Sequence, residues 1–358
     1  MTFLERFLNV NKKDRVFGLD LLRSIAIILV LILHSEFIIR KLYPDFHVVF
    51  VDGVDLFFVL SGFLIGGILI KEFNEQNKFN FLKFWSKRWL RTLPNYYLLL
   101  SVISVLYFSN PDIYFNWKYL FFLQNFNIPN PRFFPESWSL CIEEWFYIIS
   151  PILIFIFFKI LKNKKVSILS SIFFLVIFSL GYRYYKSFQF EYVEINYDMY
   201  FRKIVLARLD GLALGVFAAY LNYYYKLTFD SNKKIKLFLA LILIVIYTQI
   251  PFSQFHFIFS SSLLSLAVFL SLPFLLALKE YPNYLGSLIL YISVISYSLY
   301  IIHFTLVMWN IIDISEYQSF SQMSLNYIGY FIITFIISTI NFKYFESYFL
   351  TVKSKISD

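Results

Sequence analysis

The sequence predicts an all-α integral membrane protein with about ten transmembrane helices and both termini in the cytoplasm. Three observations carry that prediction. Hydrophobic residues make up 59% of the 358-residue chain and charged residues only 15%, against roughly 45–50% and about 25% in soluble domains. No single soluble core hides that much apolar surface. Ten runs approach the roughly 20 apolar residues that a bilayer crossing needs: 18–39, 51–71, 92–108, 143–160, 166–182, 204–224, 236–251, 258–278, 288–310 and 326–348. With the N-terminus inside, inner segments hold 22 of the 32 Lys and Arg residues and outer segments hold 8. That asymmetry is what the positive-inside rule demands.

The first run contains LRSIAIILVLILHS, residues 22–35, which carries an arginine near one end and a histidine near the other. Eleven residues turn a helix through about 1100°, so Arg23 and His34 share one face and stand about 16 Å apart in depth. Arg23 lies near the cytoplasmic surface and either snorkels to the headgroups or faces a polar path. His34 lies in the outer half, where an imidazole is able to move protons near neutral pH.

The second run opens with GVDLFFVLSGFLIGG, residues 53–67. Asp55 sits close in depth to His34. It either orients the imidazole or serves as a first-turn carboxylate favoured by the helix dipole. Ser61, Gly62, Gly66 and Gly67 read as packing residues that let helices approach closely. The third run is preceded by FWSKRWLRTLPNYY, residues 84–97. Arg88 and Arg91 are three apart and share a face. Guanidinium forks suit phosphate oxygens, and a basic inner loop also suits anionic lipid. Residues 117–127, WKYLFFLQNFN, are aromatic but too short to span, which makes them interfacial or re-entrant.

The fourth run follows ESWSLCIEEWFY, residues 136–147. Its aromatics form an interfacial belt. The adjacent acids Glu143 and Glu144 are more than a belt needs, so one is expected to face a polar cavity and the other the headgroups. In the sixth, Arg208 and Asp210 are expected to pair with each other or with the acids above. The ninth carries SYSLYIIH, residues 296–303. His303 lies about fifteen residues in, a rise of about 22 Å, and so reaches the layer of His34. His47 and His256 fall in outer loops and are taken as incidental. Arginines 23, 88 and 91 thus gather at the inner surface, while His34, Asp55, Glu143 and His303 gather in the outer half. A polar path between a cytoplasmic anion site and an outer acid–base site explains both sets.

The net charge of +9 does not point to nucleic acid, because the basic residues lie in short loops between apolar runs. The single cysteine, Cys141, excludes an internal disulfide framework and a multi-thiolate metal site. No metal is implied. No cleaved signal peptide, linker or soluble domain is evident, and residues 1–358 are expected to form one transmembrane domain.

Taken in order, these residues resemble the acyltransferase-3 family, polytopic bacterial enzymes that O-acylate extracytoplasmic glycans. The likeness runs from about 17 to 348. The Arg-x10-His motif appears as Arg23 and His34, the "FFxLSGFLI" run as FFVLSGFLI (57–65), and the Arg-x-x-Arg pair as Arg88 and Arg91. The "WSLxxExxFY" block appears as WSLCIEEWFY, with Trp138, Ser139, Glu143, Phe146 and Tyr147, and "SYxLYxxH" as SYSLYIIH. Trp145 departs from the glutamine many members carry, which is expected to tune packing or acceptor choice. The resemblance implies an inner-membrane, multi-pass O-acyltransferase. Its donor is cytoplasmic acyl-CoA, most often acetyl-CoA. Its acceptor is a surface glycan or lipid-linked precursor: lipopolysaccharide O-antigen, capsule or exopolysaccharide.

On that reading His34 is catalytic, with Asp55 orienting it and Glu143 assisting. Arg23, Arg88 and Arg91 bind the CoA phosphates. Trp138, Ser139 and His303 position the acceptor or relay a proton. Transfer is direct, or passes through a covalent acyl-enzyme on His34 or a tyrosine. Some members add an esterase-like C-terminal domain; none is expected here, so the group goes to the acceptor directly or to a separate extracytoplasmic partner. The rival readings are a transporter or flippase of an anionic or glycan substrate, and an inactive member acting as a sensor or assembly protein.

Overall fold

In the computed structural model, residues 12, 15–36, 38, 40, 51–75, 79–129, 131–312 and 319–357 are described. His47 lies outside these, as do Arg6, Lys13, Lys41 and Lys78 of the charge tally. All regular structure among the described residues is helical. The long helices are α1 (Phe17–His34), α2 (Gly53–Glu75), α3 (Phe81–Leu106), α4 (Trp138–Leu161), α5 (Lys164–Ser187), α6 (Leu209–Tyr224), α7 (Lys233–Gln249), α8 (Gln254–Ala277), α9 (Asn283–Ile302) and α10 (Phe320–Asn341), followed by α11 (Ser347–Ser357). Local chemistry sets several boundaries. Asn80, Asn163 and Ser253 cap α3, α5 and α8 by accepting from main-chain N–H groups three residues on. Ser319 and Gln322 form a capping box at α10.

Seven helices among the described residues are long and apolar enough to cross a membrane. The three remaining expected crossings coincide with α3, α6 and α7. Helix α3 is 26 residues long but carries Lys83, Lys87, Arg88 and Arg91 in its first half. Helices α6 and α7 have only 16 and 17 residues.

Helices α2 and α6 pack most closely, through a seam of small residues. A methyl group on Gly62 would lie 2.0 Å from the Leu212 carbonyl oxygen, and one on Gly215 would lie 2.2 Å from that of Val59. Only glycine permits this approach. Gly66 belongs to the same seam, but a methyl group on Gly67 would meet nothing within 4 Å. Gly67 is therefore not the packing residue expected, and Ser61 also turns elsewhere. Helices α1, α2 and α9 pack together on the other side, with α3 and α4 completing one wall.

The segment before α4 is a short 3-10 turn, Trp117–Phe121, with Trp117 and Phe121 exposed and Tyr119 buried. It lies against α3, whose Tyr96 and Tyr97 hydroxyls donate to the carbonyls of Tyr119 and Leu120, both at 2.8 Å. Helix α9 runs on through a π turn, His303–Met308, and α10 reaches α11 through another, Phe342–Glu346. Such turns carry an extra residue and redirect side chains, often at functional sites.

Candidate active site

Helical spacing lines up the polar residues. On α3, Arg88, Arg91, Thr92 and Asn95 recur at three and four residues; on α4, Ser139, Glu143 and Tyr147; on α9, Ser293, Ser296, Tyr297, Tyr300 and His303. Parts of these stripes, from Arg88 to Thr92, Ser139 to Tyr147 and Ser296 to Tyr300, enclose with α1 and α2 a cleft of about 790 Å³, its open mouth included. A second bay holds Arg15, Asp20, Glu346 and Lys353, and shares Arg23, Arg91, Ser296 and Tyr297 with the first. The two therefore adjoin. The start of α1 and the end of the α10–α11 unit meet around this bay, so both lie at one basic end of the bundle.

The three arginines differ in their partners. Asp20 is held by Arg15, whose guanidinium approaches both its oxygens at 2.8 and 2.5 Å, and also by Ser293 and the Tyr281 hydroxyl. Arg23 leans on the same carboxylate at 3.5 Å, so its charge is partly met. Arg88 and Arg91 have no ion-pair partner among the described residues, although Arg88 is only 8% exposed. A buried guanidinium without a counter-charge is costly, and both groups face the cleft.

Glu143 faces the cleft as expected of one acid. It accepts from Ser61 Oγ at 3.1 Å and from the Tyr147 hydroxyl at 2.7 Å. Glu144 does not face the headgroups: it is buried against α3 and accepts from Thr92 Oγ1 at 2.6 Å. Trp145 donates its indole N–H to the Phe122 carbonyl at 2.8 Å, and the Cys141 thiol donates to the same oxygen. Both pack the 117–122 segment onto α4.

At the opposite end, His34 Nδ1 lies 2.7 Å from His303 Nε2, with the ring planes 25° apart. His303 Nδ1 lies 2.7 Å from the Tyr300 carbonyl oxygen. A carbonyl only accepts, so His303 Nδ1 carries a proton. In the neutral pair His303 Nε2 must then accept, and His34 Nδ1 must donate. The remaining lone pair is on His34 Nε2, which has no hydrogen-bond partner among the described residues. The chain of contacts therefore leaves a base with a defined free nitrogen.

Asp55 is not that pair's orienting carboxylate. It is buried and bonded to Arg208, while Asp210 is bonded to Arg183 at 2.8 Å. Arg208 and Asp210 do not pair with each other as the first alternative had it. Both Arg183 and Arg208 are buried, and each needs an acid from another helix. Asp52 meets Arg202 at 2.5 Å, and Arg202 also meets Asp198 at 2.7 Å. Burial alone would raise the Asp198 carboxyl, but Arg202 and Lys203 hold it below its ordinary range. The Arg202 guanidinium lies 5.0 Å over the Trp138 ring, so Trp138 supports this cluster and does not line the cleft. Sequence reading missed Asp52, Asp198 and Arg202, because nothing in their spacing marks them as partners. His256 is not in a loop but in the first turn of α8.

The expected corridor stops short of His34. The cleft ends at Val54, Phe57, Ser139 and Tyr300. Tyr300 is three residues before His303, about 4.5 Å along the helix, and Ser139 Oγ donates to its hydroxyl at 2.6 Å. Tyr300 thus stands between the cleft and the imidazole pair, a place that its motif position alone did not reveal.

A family profile described as an acyltransferase domain, acyltransferase-3, matches residues 16–341. The O-acetyltransferase OatA of Staphylococcus aureus is 28% identical over 359 residues, covering 92% of this chain and 56% of that protein. The peptidoglycan O-acetyltransferase OatA of Listeria monocytogenes is 34% identical over 168 residues, 41% of this chain and 25% of that protein. A putative peptidoglycan O-acetyltransferase, YrhL of Bacillus subtilis, is 32% identical over 166 residues, again 41% and 25%. The chain thus spans between a quarter and about half the length of these relatives. No solved structure matches.

Proposed function

The chain belongs to the acyltransferase-3 family, and on that premise we propose that it is a membrane O-acetyltransferase of a cell-wall glycan. Its donor is acyl-CoA, taken from the cytoplasmic side of the bacterial inner membrane. The relatives named for peptidoglycan favour that acceptor class over the lipopolysaccharide, capsule and exopolysaccharide that the motifs alone suggested. The observation that carries the proposal is the cleft itself. It has at its basic end two guanidinium groups with no ion-pair partner among the described residues, and Tyr300, the residue that holds the imidazole pair, at the other.

Arg88 and Arg91 bind donor phosphate oxygens, aided by Arg23 where Asp20 leaves it free. Glu143, Ser296 and Tyr297 line the way toward Ser139 and Tyr300. His34 Nε2 removes the proton from an acceptor hydroxyl. The hydroxyl oxygen bonds to the thioester carbonyl carbon, the carbon–sulfur bond breaks, and the departing sulfur takes up the proton that His34 held. His303 keeps the His34 tautomer fixed throughout. Asp55, engaged by Arg208, holds the outer end of α2 and does not touch the base.

The test is His34→Ala. The variant is expected to insert normally and to abolish glycan O-acetylation, read by mass spectrometry of wall fragments. Acetylation at the parental level in that variant would refute the assignment.

A further inference from the structure

Glu136 lies in the 3-10 turn Pro135–Ser137 that opens α4 and is 2% exposed. Among the described residues no cation comes within ion-pair distance of it. A lone carboxylate at such a place is expensive unless donors surround it. Its donors converge on one short stretch of α9. The Thr305 main-chain N–H donates to Oε1 at 3.0 Å, and the Thr305 hydroxyl donates to Oε2 at 2.5 Å. The main-chain carbonyl of Glu136, which a side-chain substitution keeps, accepts from the Tyr300 hydroxyl at 2.9 Å.

Thr305 is two residues after His303, and Tyr300 is three before it. One residue therefore holds the helix on both sides of the imidazole. The π turn that begins at His303 shifts main-chain donors out of their usual ladder. Glu136 takes up the donor that Thr305 turns toward α4. Tyr300, so held, presents the carbonyl that fixes the His303 proton.

We infer that Glu136 is a positioning residue for the His303–His34 pair: its carboxylate clamps Thr305 while its main-chain carbonyl holds Tyr300, and together these set the ring of His303 and, through it, the free nitrogen of His34. Its effect on turnover rests on the acyl-transfer reading above, whereas its effect on the imidazoles does not. The chain has only four histidines, so nitrogen-15 spectra of the histidine-labelled protein in nanodiscs resolve them. His34→Gln and His303→Gln assign the two signals.

In the parent, both residues show the Nδ1–H tautomer. In Glu136→Ala, which frees Thr305 but keeps the main-chain bond to Tyr300, these signals move toward the Nε2–H form or average, and kcat falls about 100-fold, within the range general-base catalysis supplies. KM for acetyl-CoA stays the same. In Glu136→Gln, whose amide oxygen still accepts from the Thr305 N–H, the tautomers are retained and kcat stays within about threefold. Thr305→Val removes only the hydroxyl donor and is read in the same way if the alanine variant does not fold.

Unchanged tautomers in both Glu136→Ala and Thr305→Val overturn the inference. So does a glutamine variant whose signals match those of the alanine variant. Altered tautomers in a protein that never transfers acetyl groups would refute the function and leave the positioning role standing.

Discussion

An imidazole that acts as a base must keep one nitrogen unprotonated and accessible. In His34 the choice of nitrogen traces to a carbonyl two steps away, through His303 to Tyr300. Removing the middle link should therefore be costly without touching the donor site. His303→Ala is expected to lower kcat about 100-fold, within the range general-base catalysis supplies, with acetyl-CoA affinity unchanged. Steady-state kinetics check this, and a change confined to KM would contradict it. Helical rise alone placed His34 and His303 in one layer. It could not choose between His303 and Asp55 as the partner, because that choice depends on Arg208, which reaches Asp55 from the position just before α6. Glu136 opens the same motif block as Glu143, yet its partner Thr305 is 169 residues away in the chain, and no local pattern joins them.

At the scale of elements, close helix approach holds the site's walls in register. The α2–α6 seam keeps α2 in place while its other face presents Ser61, Leu64 and Phe57 to the cleft. Gly62→Leu would force a side chain against the Leu212 carbonyl, and overpacking of this kind costs about 1–3 kcal/mol. The variant should unfold at lower temperature in detergent, whereas Gly67→Ala, which meets open space, should match the parent. Equal melting temperatures for Gly62→Leu and the parent would show that the seam yields. The apolar runs made most of these helices legible in the sequence. The π turn after Ile302 was not, because no local residue pattern marks it and Thr305 within it meets Glu136, 169 residues away in the chain.

Over the whole molecule, charge is sorted by end. Arg15, Arg23, Arg91 and Lys353 surround the basic bay, with Arg88 in the adjoining cleft, while the Asp52–Arg202–Asp198 cluster and the imidazole pair lie at the other end. The positive-inside rule assigns the basic end to the cytoplasm, the side from which the proposed acyl-CoA would enter. The sequence conveyed this sorting through the depths of Arg23 and His34 on one helix face. It did not convey that Tyr300 closes the cleft before His34, because that closure is made by side chains from three helices.

The most direct measurement of the central claim separates binding from chemistry in the purified protein in nanodiscs, by titrating acetyl-CoA and following acetyl transfer to a glycan acceptor. The account predicts that the double variant Arg88→Ala/Arg91→Ala binds acetyl-CoA at least about tenfold more weakly, a loss of about 1.4 kcal/mol. It predicts that His34→Ala binds at the parental level and transfers nothing. Parental binding by the double arginine variant, or parental transfer by His34→Ala, would contradict it.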